Sequence, residues 1–110
     1  MLVCELLMDD DIAWDLLCLA RKNQITGNKP EALKRYATLM RADPKAFPFF
    51  NLFQRTYVLS GLVELARRYA PARAELLHLL EAKRRQLALA PADQYLVDDI
   101  ATIEQGIRKL

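Results

Sequence analysis

The stretch "ITGNKPEALKRYATLMRADP", Ile25 to Pro44, ends one helix and builds the next. Gly27 adopts left-handed backbone angles at no steric cost, so the preceding helix is predicted to stop there. Asn28 stands where a helix cap belongs, and Pro30 falls in the first turn, where its missing amide is not needed. Glu31 is placed to reach back to that cap. Leu33, Tyr36, Ala37 and Met40 then recur at helical spacing as an inner face, and Pro44 closes the run. The stretch therefore predicts the second arm of a helical hairpin.

Upstream, one of Asp9 to Asp11 caps a first helix whose apolar stripe is Ala13, Leu16, Leu17 and Ala20 and which runs to about Ile25. Downstream, "FPFFNLFQRTYVLS" (47–60) predicts a third helix ending near Gly61, and "LVELARRY" (62–69) a short fourth. That fourth piece is stopped at Ala70, because the residue before a proline resists helical angles. Pro71 opens a long fifth piece to residue 90. Beyond Pro91 a last helix carries the stripe Leu96, Ile100, Ile103, Ile107, Leu110. Six helical pieces, only three glycines and a 53% apolar composition predict a single all-α domain over residues 1–110.

The net charge of +2 is uneven, with 8 basic against 3 acidic side chains in residues 44–90. We expect a solvated helix face there. The alternative is a polyanion-binding surface made by Arg67, Arg68, Lys83, Arg84 and Arg85. No aromatic residue interleaves with Lys83–Arg85 for base stacking, and Glu81 is spaced to pair with Arg85, so nucleic acid is not the expected partner. Cys4 and Cys18 lie in apolar runs and are expected to be buried free thiols. The lone His78 has no metal-ligand spacing, and Asp9 to Asp11 at a helix start suit capping better than a metal. No nucleophile–base pair or glycine-rich phosphate loop can be read. No enzyme activity, cofactor or metal is therefore expected. "MLVCELLM" is too short to span a membrane and lacks a basic lead, so a cytoplasmic protein is expected.

The pieces also resemble one another. Gly27 and Gly61 are 34 residues apart, as are Ala32 and Ala66, Leu19 and Phe53, and Leu16 and Phe50. Residues 13–46 resemble a full tetratricopeptide repeat, with Leu16, Leu19, Ala20, Gly27, Ala32, Tyr36, Leu39 and Pro44 in register. Residues 47–70 resemble a partial second repeat, and residues 71–110 would cap the stack. The chain is similar to bacterial tetratricopeptide-like proteins. The resemblance implies an α-α superhelix of antiparallel helix pairs whose inner helices line a concave groove. By register that groove falls on Trp14, Leu17, Arg21, Gln24 and Ile25, and on Asn51, Arg55, Val58 and Leu59. It implies a protein-protein interaction module that grips an acidic or carboxylate-bearing peptide or partner protein. A homodimer, in which two copies cap each other's apolar ends, is a further expectation.

Overall fold

Asp9 starts the first helix, α1 (Asp10–Ile25), by accepting the Ile12 N–H at its side-chain oxygen, 2.9 Å away, in the computed structural model, which describes residues 8–110. Gly27 ends the turn after α1 with φ 87°, the left-handed conformation expected of it. The second helix, α2 (Lys29–Arg41), folds back against α1. Ala13 and Ala20 of α1 and Ala32 of α2 are wholly buried, and their small side chains let the two arms close together. The capping box does not form. The Asn28 N–H is already spent on the carbonyl of Asn23 at 2.8 Å, and the Asn28 side chain makes no cap bond. Glu31 turns instead to Arg35, 3.4 Å away.

The third helix, α3, departs most from expectation. It begins as Phe50–Phe53, passes through a π-helical segment at Gln54–Val58, and continues as Leu59–Ala66. Gly61 therefore lies inside a helix, and the third and fourth predicted pieces are one. A glycine within a helix costs only about 1 kcal/mol relative to alanine, so it does not force a bend. Its missing side chain has a use here, because a Cβ on Gly61 would stand 2.6 Å from the ring of Tyr36. Tyr36 is wholly buried, and its hydroxyl donates to the Gln24 side chain at 2.7 Å. The first glycine makes a bend, and the second makes room for a neighbour's ring. The 34-residue self-match thus does not place Gly27 and Gly61 in equivalent bends. The second bend falls beyond Ala66, at 67–69.

The π-helical segment has a visible partner. The buried amide of Gln54 donates toward three carbonyls at the end of α2, those of Leu39 at 2.9 Å, Ala42 at 3.2 Å and Met40 at 3.4 Å. Carbonyls at a helix end have no partner within the helix, so this side chain satisfies what the α2 terminus leaves open. The fourth helix, α4 (Ala70–Leu89), buries Ala72, Leu76, Leu79 and Leu80. Asp93 then caps the fifth, α5 (Gln94–Arg108), accepting from the backbone of Tyr95 and Leu96. Leu96 and Ile103 of the predicted stripe are buried, Ile100 and Ile107 pack against the core, and Leu110 stays exposed. Among the described residues there is no strand and no helix long and apolar enough to cross a membrane.

Cys18 is exposed rather than buried. With Asp15 and Lys22 it sits on the outward face of α1, between the positions that Leu17 and Ala20 bury. Cys4 lies outside the described residues. His78 projects from the exposed side of α4.

Two outcomes follow for the Tyr36–Gly61 crossing. Gly61→Ala should lower stability in urea unfolding by about 1–3 kcal/mol through overpacking, despite alanine's better helix propensity. In a Tyr36→Leu background the same change should become neutral or favourable. Burial raises the Tyr36 pKa above its usual value, an effect partly offset by the nearby Arg21 charge. The folded state then holds its phenol proton more tightly than the unfolded chain. That contribution is complete below the unfolded value, near pH 10, and is lost as pH rises through the folded value. Tyr36→Phe should flatten this alkaline fall in a pH series of thermal melts.

Candidate functional site: a cleft between the α2–α3 connector, α4 and α5

"FPFF", Phe47 to Phe50, sets the shape of one wall. Phe50 is wholly buried, and Phe47 packs against it and Phe53 with ring centroids 4.8 and 6.0 Å away. Phe49 lies between the exposed Pro48 and the buried Phe50. It takes φ 71°, a left-handed conformation that costs a side-chain-bearing residue about 1–2 kcal/mol. Its ring is 81% exposed. Such strain, held by well-packed neighbours, is characteristic of binding and catalytic segments.

The connector carrying Phe49 faces α4 and the start of α5 across a cleft of about 1250 Å³. Phe49, Leu52 and Tyr95 are exposed apolar residues on its walls. Five lysine or arginine side chains line it against three aspartates, with Arg41 and Arg85 paired to Glu75 and Glu81, so the local surplus of positive charge is at Arg55 and Lys83, which share Asp99.

An ion-pair cluster closes the bottom. Asp99 is buried, and its two oxygens are held by different helices: Arg55 Nε of α3 at 2.7 Å and Lys83 Nζ of α4 at 3.3 Å. The side chains are 22% exposed for Arg55, 15% for Lys83 and 9% for Asp99. One buried carboxylate thus ties α5 to α3 and α4, and one positive charge is left over. Asn51, which also lines the cleft, sits one helical turn before Arg55. Its Nδ2 is buried without a hydrogen-bond partner among the described residues.

The groove expected from the repeat register does not assemble as read. Leu17, Val58 and Leu59 are buried in the core and offer nothing to a partner. Gln24 is bound to the Tyr36 hydroxyl inside the α1–α2 hairpin. Trp14 is half exposed on the α1–α3 face, where its ring meets Phe53 at 4.9 Å and Tyr57 at 5.2 Å. Arg21 and Ile25 are exposed on α1, away from the cleft lining. Of that set, only Asn51 and Arg55 line the cleft. The basic residues are also dispersed. Arg67 pairs with Glu64, Arg84 with Glu104 and Arg85 with Glu81, while Lys83 turns inward to Asp99; Arg68 is exposed.

Asp99 carries a signal in the sequence. It stands three residues after Leu96 and four before Ile103, on the apolar stripe of its helix. A carboxylate on such a stripe needs a buried partner. Phe49 and Tyr95 carried no comparable signal. No family model, curated protein or solved structure matches this chain.

Removing the carboxylate should unsettle three helices at once. Asp99→Ala leaves Arg55 and Lys83 facing each other unpaired and should cost about 3 kcal/mol in urea unfolding. The solvent-exposed Arg84–Glu104 pair is the internal control: Glu104→Gln should cost about 0.5 kcal/mol.

Proposed function

We propose that this protein is a non-enzymatic protein-protein interaction module that holds an acidic, aromatic- or aliphatic-bearing segment of a partner protein in the cleft between the α2–α3 connector, α4 and α5. The observation that carries the reading is the layering of that cleft. Exposed apolar side chains, Phe49, Leu52 and Tyr95, line its walls, and a cationic floor with a surplus positive charge lies between them. Apolar anchors supply the affinity of such a contact, and charge complementarity supplies its orientation and partner choice.

The scaffold fits a tetratricopeptide-like reading in its first unit. The α1–α2 hairpin has Gly27 in its bend, Ala20 and Ala32 buried, and Tyr36 filled in behind them. The second unit would be α3 with α4, its first arm lengthened past Gly61, and α5 would be the cap. Helix pairs of this kind bury their faces by stacking and leave a concave surface for a partner. The same groups support binding over catalysis: the ionised side chains at the floor are committed to one another rather than set as a nucleophile beside a base. The pairing of Arg67, Lys83, Arg84 and Arg85 with carboxylates weighs against a nucleic-acid surface. A cytoplasmic setting belongs to the proposal, and the exposed free thiol of Cys18 agrees with a reducing compartment.

Phe49 separates function from stability. Phe49→Gly relieves the left-handed strain and should raise unfolding stability by about 1 kcal/mol. It should weaken binding of peptides selected on the wild-type protein from a random display library by about tenfold, as a lost aromatic anchor does. Enriched peptides should carry Asp or Glu beside an aromatic or aliphatic residue. Winners that bind Phe49→Gly and wild type equally would remove the cleft from the reading.

A further inference from the structure

The floor of the cleft has more hydrogen-bond donors than the chain uses. Arg55 meets Asp99 side-on, through Nε alone. Among the described residues neither Nη atom of Arg55 donates a hydrogen bond, so the end of the guanidinium fork is unspent. Lys83 gives one of its three N–H groups to Asp99. Asn51 Nδ2, on the same wall and one turn from Arg55, is buried with no hydrogen-bond partner among the described residues. A buried donor left unsatisfied is disfavoured, and in a folded protein it calls for something to accept from it. The charge count asks for the same thing: two cations surround one carboxylate.

We propose that Asn51, Arg55 and Lys83 form an oxyanion subsite at the bottom of the cleft, taking a carboxylate or phosphate group, with Asp99 as the positioning residue that aims Arg55 and Lys83. Arg55 presents its free Nη pair to the anion's oxygens, Lys83 adds a point charge, and Asn51 supplies a neutral donor that fixes orientation. Asp99 keeps the two cations in place when the subsite is empty and prevents their mutual repulsion. The inference rests on the reading of this cleft as the functional site. It adds the chemistry of the group that enters deepest, and it stands on side chains other than the apolar ones on the walls.

The test is a titration of the full chain followed by the side-chain N–H signals of Asn51 and Arg55, in two arms at constant ionic strength. Sodium acetate probes for a carboxylate and inorganic phosphate for a phosphate group. Saturating shifts at both residues, with an affinity on the order of millimolar for so small a ligand, are expected in at least one arm, and the arm that saturates assigns the group. Asn51→Leu should weaken that affinity about tenfold, the loss of one hydrogen bond to a charged group, while the unfolding midpoint stays level or rises. Arg55→Lys, which keeps the charge and loses the fork, should weaken it comparably. No saturation in either arm overturns the subsite. So does an Asn51→Leu protein that binds the anion unchanged or is destabilised, because the amide would then be structural. Selected peptides that bind while neither anion does would remove the subsite and leave the partner reading intact. Anion binding with no peptide captured would do the reverse.

Discussion

The carboxylate of Asp99 is the constraint on which the architecture of the cleft depends. It is buried between a guanidinium on α3 and an ammonium on α4, so α5 can dock only where both cations reach it. Charges taken out of water are tolerated when paired and strongly destabilising when one partner is missing. Beside the apolar stripe of α5, the ion pair adds a directional constraint on how that helix docks, and it leaves one positive charge at the base of the cleft.

The α3 helix connects this cluster to the rest of the molecule. Its π-helical segment presents Gln54 to the carbonyls left open at the end of α2 and the next residue, Arg55, to Asp99. A π-turn within an α-helix is uncommon and is found mostly at functional sites, where an altered register re-aims side chains. Here two consecutive polar residues are engaged by different neighbours, Gln54 by α2 and Arg55 by α5. The left-handed Phe49 lies at the start of the same helix. Strain, irregular helix and an unpartnered amide thus gather within Phe49–Val58, and the cationic cluster completes the neighbourhood.

Much of the local structure was legible in the sequence because it rests on short-range physics. Asp9 caps as a residue of its type does, Gly27 turns, prolines stand in the first turns of α2 and α4, and the stripe of α5 buries most of its length. Sequence and structure part where a residue type has two uses. The 34-residue spacing predicts a bend at Gly61 to match Gly27, but a glycine also yields space, and only the neighbouring Tyr36 decides which. The repeat register places Val58 and Leu59 in a groove, whereas the structure buries both in the core. The reach-back of Glu31 to Asn28 fails for a similar reason, since the Asn28 N–H has already found the carbonyl of Asn23.

By itself the sequence determined an all-helical chain, the bend at Gly27, the faces that turn inward, and the surplus of basic residues in its middle. These follow from backbone preferences and from periodicity, both of which act within a few residues. The tertiary structure alone decided that Arg55, Lys83 and Asp99 meet, that Phe49 points outward over a cleft, and that Asn51 is left without a partner. Arg55 and Asp99 are 44 positions apart. Their meeting depends on how whole helices cross, which no local pattern encodes.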